Sequence, residues 1–553
     1  MKIRTITIHN FRSIKHQAFD LLSYSLLVGA NNSGKTNIID ALRIFYEKEK
    51  FDNNDSPKFK TDDQESWIEI EFHLTDYEFA VFKEEYKQKN NTLKVRKYLK
   101  HPQRLKSNQS NIYGYEKGEL SNNIFYGAKN ISEAKLGDVI YIPEVAKVDE
   151  YTKLSGPSAF RDTLNFVVKK VVKNSQTFDT LSKSFTEFND KFKADASKDG
   201  ISIQSFIDDV NKEIENWDVA FGVNINEIKP EEIVKNLVSH YLMDKQLEGQ
   251  EMPIDSFGQG LQRHLIYTLI KLSAKYKDVP VKKEKKEFFP DFTLILFEEP
   301  EAFLHPSQQE ILNQSLENLS KENNQQVLIS THSSHFVSKN INNLPSILKL
   351  YKKNGETQIY QITTEELKNI LIANKELKEI LGERIETKDM DLEAIRYSLW
   401  LDPDRCCAFF ADLILICEGA SEKILLDNLI KNEEINLPNR EVYILNALGK
   451  ENIHRYMNLF QELGIKHSVL YDADNDKGKH KKINDFLEKN KKDFTNKIDF
   501  FENTLEDFLG IEKIDDPRKN YLKPLNVMWH YQNAKINVEK IKEFKTKIEK
   551  LLT

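Results

Sequence analysis

The 553-residue chain holds only three cysteines, Cys406, Cys407 and Cys417. They give neither a disulfide framework nor zinc-ligand spacing, so a reducing cytoplasm is the expected compartment. No run of about 18 uncharged apolar residues occurs, and no membrane-crossing helix is expected. The opening Met1-Lys2-Ile3-Arg4-Thr5-Ile6-Thr7-Ile8 alternates like a strand and lacks the apolar region of a signal peptide. Internal repeats and long low-complexity tracts are absent. The net charge of −7 does not advertise a nucleic-acid partner, although 80 Lys+Arg leave room for a local basic surface. With 39% hydrophobic and 30% charged residues, the composition is that of a soluble globular protein long enough for several domains.

What is present begins with Gly29-Ala30-Asn31-Asn32-Ser33-Gly34-Lys35-Thr36, a match to the phosphate-binding pattern G-x-x-x-x-G-K-[ST]. An apolar strand-like run, Tyr24 to Val28, precedes it, and a helix-like stretch from Asn37 follows. In that context the backbone around Gly29, Asn32, Ser33 and Gly34 can wrap a triphosphate. Lys35 would reach the β- and γ-phosphates, and Thr36 would offer its hydroxyl to Mg²⁺. Downstream, Phe292 to Glu301 is an apolar strand ending in acids. Glu298 falls where a carboxylate holds Mg²⁺ and its waters, and Glu299 where one orients the attacking water. A further strand, Gln326 to Ser330, leads to His332, which can contact a γ-phosphate; taken alone, it also fits an ordinary surface or core histidine.

Ser256-Phe257-Gly258-Gln259-Gly260 looks like a variant of the ABC signature Leu-Ser-Gly-Gly-Gln. Ser256, Gly258 and Gly260, at a helix N-terminus, could grip a γ-phosphate bound by a second subunit. With four motifs in this order, the first half resembles an SMC-type ABC ATPase, a class that works as ATP-sandwiched dimers. Two departures, Glu298 in place of aspartate and the altered signature, put the hydrolysis rate in doubt. Gln64 is a Q-loop candidate by position only.

A second set of acids follows. Leu413 to Cys417 is a strand ending in Glu418-Gly419, with Glu422 four positions beyond Glu418. About fifty residues on, Ser468 to Asp472 is a strand closing in Asp472-Ala473-Asp474. This is the Toprim pattern. Carboxylates at the C-terminal ends of neighbouring parallel strands share one crevice, and an all-oxygen set there suits Mg²⁺ or Mn²⁺. Strand alternation is expected to send Asp472 and Asp474 to the same side. For Glu418 alone, a helix-opening carboxylate is the plain alternative. Asp476 and the lysines from Lys477 to Lys492 read as a loop, either solvated or facing DNA phosphates.

ATPase first and Toprim second resembles the OLD (overcoming lysogenization defect) nucleases, which include effectors of bacterial anti-phage systems. The resemblance spans roughly residues 1–150 and 250–525. It implies an α/β fold: an ABC/SMC-type ATPase head with a helical dimerisation insertion, then a Rossmann-like Toprim domain. It also implies ATP-regulated, divalent-metal-dependent cleavage or nicking of DNA. Glu418 and Glu422 match the family's Glu-Gly-x-[Ser/Thr]-Glu element, Asp472 and Asp474 its Asp-x-Asp, and Glu506 a later acid. Lys523 looks like its catalytic lysine, with Lys535 as the alternative and a surface lysine as the plain reading.

The expected layout is residues 1–154 and 251–365 for the ATPase, 155–250 for the helical insertion, 366–404 for a linker and 405–553 for Toprim with a helical tail. In that tail Ile541, Phe544, Ile548 and Leu551 form a core-facing stripe. The expected mechanism is two-metal hydrolysis, Glu418, Asp472 and Asp474 serving one ion and Glu422, Asp474 and Glu506 the other. Lys523 would neutralise charge in the transition state. DNA, a homo-oligomer formed through the ATPase half and a defence-system partner such as a retron reverse transcriptase with its DNA are the expected partners. The competing reading is an SMC-like repair or recombination ATPase whose Toprim domain only binds nucleic acid. A topoisomerase would need large DNA-gate domains, and a primase would be expected to carry zinc-binding cysteines.

Overall fold

The computed structural model describes the chain except residues 145–151, 154–158, 173–174, 193–194, 218, 224–237, 248, 276–287, 289, 291, 322–323, 340, 384–388, 438–440, 475–477 and 515. The chain divides into two compact units, Met1–Glu144 with Lys286–Thr553, and Val145–Lys285. Among the described residues no helix is long and apolar enough to cross a membrane.

Among its described residues the first unit contains three sheets. An antiparallel sheet runs in the order Ile14–Asp20, Lys2–Phe11, Ser66–His73, Thr92–Lys100, Ile112–Glu116 and Glu119–Ile124. The N-terminal alternation is therefore a strand, with Ile6 and Ile8 buried on its inner face. A second sheet has the order Glu356–Gln361, Ile347–Lys353, Tyr24–Val28, Gln325–Ser330, Thr293–Glu298 and Asp138–Ile142. Its strands are parallel except for the Glu356–Gln361 edge. The three at its centre read as continuous apolar runs because both faces are covered. Helix Lys35–Phe45 buries Ile38, Ile39, Leu42 and Phe45 in one hydrophobic cluster with residues of both sheets.

The third sheet is wholly parallel, ordered Val442–Asn446, Leu413–Cys417, His467–Asp472 and Thr495–Phe501. The chain starts at Leu413–Cys417, adds the next strand on one side and then crosses to the other. In open parallel sheets such a reversal is where a ligand crevice is expected. Helix Val538–Leu552 covers this sheet with Phe544, Ile548 and Leu551 buried and Ile541 partly so.

Two stretches differ from expectation. Residues 366–404 hold the helices Glu376–Ile380 and Asp389–Trp400, not merely a polar tether. Their polar composition serves a buried network: Arg455 donates to both oxygens of Glu393 at 2.7 and 2.9 Å, and Tyr397 donates to the Arg455 carbonyl at 2.8 Å. Lys479 to Lys489 is helical, not a loop, because Ile483, Phe486 and Leu487 recur at helical spacing and are buried. Asp476 and Lys477 lie outside the described residues.

The second unit carries helices Ala159–Val172, Gln176–Phe192, Ile203–Glu213 and Gln259–Lys275, and a hairpin Leu242–Asp244/Gln250–Met252. It is wider than the insertion expected at 155–250 and takes in Ser256, Gly258 and Gly260.

Candidate functional site

Residues 29–36 link the central strand Tyr24–Val28 to helix Lys35–Phe45. Gly29 (φ 152°), Asn32 (φ 62°) and Gly34 (φ 107°) hold the positive-φ conformations that curl the backbone into a cradle. A Cβ on Gly34 would lie 2.4 Å from the Thr357 hydroxyl, and one on Gly29 2.4 Å from the Leu350 carbonyl oxygen. Lys35 is buried and donates to the carbonyls of Gly29 (2.9 Å) and Ala30 (3.1 Å). Burial brings it down to about 8. A buried ammonium over a turn of backbone amides suits an oligophosphate.

Strand Thr293–Glu298 stands one strand away from the P-loop strand, with Gln325–Ser330 between them. Glu298 accepts from the Tyr141 hydroxyl at 2.6 Å and from Thr36. Burial raises both Glu298 and the next acid, Glu299. Glu299 sits at φ 42° and approaches His332 Nε2 at 3.5 Å. Burial, then the Lys35 charge, lowers His332 to about 4, so its ring is neutral at pH 7. Glu301, to which the sequence reading gave no role, accepts from the Thr331 hydroxyl (2.8 Å) and the amides of His332 (2.6 Å) and Ser333 (3.1 Å). It fixes the loop that presents His332, and the third acid in Glu298-Glu299-Pro300-Glu301 was its signal. Gln64 is exposed in the turn before Ser66–His73. In the second unit, Ser256 and Gly258 are exposed just ahead of helix Gln259–Lys275, and Gly260 lies in its first turn.

The acids of the third sheet meet at its reversal. Register Cys417↔Leu470 sets the ends of neighbouring strands side by side, and the Asp472 amide donates to Glu418 Oε2 at 3.1 Å. Glu422, one turn into helix Ala420–Lys431, accepts from the Gly419 amide at 3.1 Å. Glu506 reaches in from the short helix Leu505–Leu509. Glu422 and Glu506 are only 4% and 5% exposed.

Burial followed by repulsion from Glu418 raises Glu422; burial followed by Glu422, Glu418 and Glu506 raises Asp472. These carboxylates, and the charge of Asp474 beside them, thus oppose one another's ionisation. Asp472 Oδ1 is buried with no hydrogen-bond partner. That orphaned oxygen in an all-carboxylate setting fits a hard divalent cation. Among the described residues, no three His, Cys, Asp or Glu side chains already stand in ligand geometry, so the acids would have to close around an ion.

Asp474 stands beyond the alternating strand, and its charge still acts on Glu418 and Asp472. The strand ends at Asp472, and Asp474 lies beyond it in a left-handed turn (φ 46°), where its carboxylate faces Lys450 (3.4 Å) and His480 (3.2 Å). Lys523, first residue of helix Lys523–Gln532, is near enough for its charge to act on Glu418. Lys535 is exposed. Sequence reasoning missed Lys450 and His480, whose places follow from tertiary contacts.

The chain belongs to the AAA ATPase domain family, whose model matches residues 1–337. Residues 409–474 match the TOPRIM domain of overcoming lysogenization defect protein-like chains. Among similar proteins, Old nuclease of Escherichia phage P2 is 25% identical over 492 residues, covering 86% of this chain and 77% of that protein. Endonuclease GajA of Bacillus cereus (strain HuB5-5) is 25% identical over 538 residues, covering 83% and 72%. The SMC head domain from Thermotoga maritima aligns with 66% of this chain and 100% of its own at 12% identity, with a TM-score of 0.31.

Proposed function

We propose that this protein is an ATP-regulated, divalent-metal-dependent DNA endonuclease that acts as a homo-oligomer in the bacterial cytoplasm as an effector of anti-phage defence. The observation that carries the nuclease reading is the crevice at the sheet reversal, where Glu418, Glu422, Asp472 and Glu506 converge and Asp472 Oδ1 is left without a partner. Mg²⁺ or Mn²⁺ held there would activate water and stabilise the leaving oxygen of a phosphodiester. Glu418 and Asp472 are the ligands of first choice, with Glu422 and Glu506 completing the set and Asp474 joining by turning from Lys450. Lys523 would meet charge building on the scissile phosphate.

ATP would bind on Gly29, Asn32, Ser33, Gly34 and Lys35, with Mg²⁺ at Thr36 and Glu298, Glu299 as the water-orienting acid and His332 toward the γ-phosphate. Ser256, Gly258 and Gly260 would serve the nucleotide of a second copy.

Regulation by ATP is supported by the hairpin Ile347–Lys353/Glu356–Gln361, which touches both halves. On one side, the Thr357 hydroxyl donates to the Ser33 carbonyl at 2.9 Å and Lys352 reaches Asn32 at 3.4 Å. On the other, buried Lys349 donates to the Phe409 carbonyl at 2.6 Å, and the Tyr360 ring packs on Phe494 with centroids 5.4 Å apart. The next residue after Phe409, Phe410, stacks on His332 at 6.1 Å, and the strand that begins at Leu413 ends beside Glu418. A change at the P-loop therefore has a packed route to the acids.

The test incubates purified protein with supercoiled plasmid and Mg²⁺ or Mn²⁺, with and without ATP. Nicked or linear product under a divalent ion, lost in Glu418→Ala, is expected. Intact plasmid under every condition, with ATP still hydrolysed and DNA still bound, would favour a repair ATPase whose Toprim domain only binds nucleic acid.

A further inference from the structure

The loop after strand Val442–Asn446 turns through two left-handed residues, Leu448 (φ 59°) and Gly449 (φ 112°), and starts helix Lys450–Glu462 at Lys450. It is tied to the crevice: the Ala447 amide donates to the Cys417 carbonyl at 2.9 Å, and the Gly449 amide to the Glu418 carbonyl at 2.8 Å. Lys450 is consequently placed by backbone bonds to the residue that opens the acid set.

A lysine there is doubly unfavourable by itself. It is only 4% exposed, and it stands at a helix N-terminus, where the dipole repels cations. Its surroundings compensate. Nζ donates to Asp474 Oδ2 at 3.4 Å, lies 3.2 Å from His480 Nδ1 and sits over the Tyr471 ring at 5.5 Å. Asp474 has its own strain to offset, a left-handed backbone outside the strand.

We propose that Lys450 is a positioning residue of the carboxylate crevice: its ammonium holds Asp474 in the left-handed turn and gives that carboxylate up when a divalent cation takes it. The inference rests on the reading of Glu418 and Asp472 as metal ligands. It assigns Lys450 a role distinct from Lys523, since Lys450 competes with the cation for a ligand instead of meeting the substrate.

Calorimetric titration of Mn²⁺ into the full chain, without nucleotide or DNA, tests it. Asp472→Ala marks the heat that belongs to the crevice. In Lys450→Met the competing ammonium is gone and only the His480 ring, 3.2 Å from Asp474 Oδ2, still holds that carboxylate, so Mn²⁺ binds about tenfold tighter than in the wild type. The same variant melts lower without Mn²⁺ and gains more from its addition. In Lys450→Arg the guanidinium grips Asp474 in two-pronged fashion and Mn²⁺ binds more weakly. Equal or weaker binding in Lys450→Met would overturn the proposal while leaving the metal reading intact. Should that variant not fold, equal or tighter binding in Lys450→Arg would overturn it instead. Absence of any Asp472-dependent Mn²⁺ binding in the wild type would overturn both.

Discussion

The two sites of the first unit solve opposite electrostatic problems. At the P-loop, curled backbone and one buried ammonium make a small positive concavity whose lysine is satisfied by the loop's own carbonyls. At the sheet reversal, four acids crowd together and burial with mutual repulsion raises both Glu422 and Asp472. The first cradle turns backbone amides and an ammonium toward where an anion would sit. The second gathers acids whose ionisation burial and mutual repulsion oppose, a cost that a bound cation would relieve. Preorganisation thus comes from backbone in one case and from unbalanced charge in the other, so the two should respond differently to substitution.

The sharpest separation comes from single substitutions. Glu418→Ala or Asp472→Ala should lower plasmid cleavage by at least about 100-fold, since even outer-sphere partners of a metal site cost up to that much. ATP hydrolysis by the same variants should stay near the wild-type rate, and loss of both activities would contradict the separation. Lys35→Ala is the mirror experiment. Hydrolysis measured by phosphate release should fall by about 100-fold or more, as when a charge-stabilising donor is removed, while cleavage without nucleotide persists.

Breaking the connection is a smaller effect. Thr357→Val removes the hydroxyl that bonds the Ser33 carbonyl, and Lys349→Met removes the bond to Phe409. Each should shrink the factor by which ATP changes the cleavage rate, by about fivefold, the lower range of ordinary allosteric coupling. An unchanged factor in both would show that the hairpin is not the route.

The smallest effect is on stability. Burial lowers Lys349 from 10.5 to about 7. Between those values the unfolded chain binds the proton that the folded chain has lost, so this residue makes stability rise as pH climbs from about 7 toward 10.5. Below that window the cost of the buried charge is present in full. Denaturant melts across this range should show a shallower rise in Lys349→Met than in the wild type.

Contiguous chemistry was legible in the sequence. The P-loop needs one strand, one turn and one helix, so Gly29 to Thr36 carried its own context. Acids at strand ends were legible because parallel order forces strand termini together, which is how Glu418 and Asp472 meet. Asp474 joins the acids by another route than alternation: the strand stops at Asp472, and a left-handed residue beyond it still leaves its charge acting on Glu418 and Asp472. The helix around Ile483, Phe486 and Leu487 was hidden by its lysine-rich surface face. Lys450, Thr357 and the Lys349–Phe409 bond were not readable, since each depends on which distant strands become neighbours.

The central claim is that the crevice binds divalent cations through its acids. Crystals soaked in Mn²⁺ and measured for anomalous scattering test it most directly. The account predicts a strong Mn²⁺ peak bonded to Glu418 and Asp472 Oδ1, absent in Asp472→Ala crystals. Anomalous density confined to the Thr36 and Glu298 neighbourhood, with nothing among the acids of the parallel sheet, would contradict it.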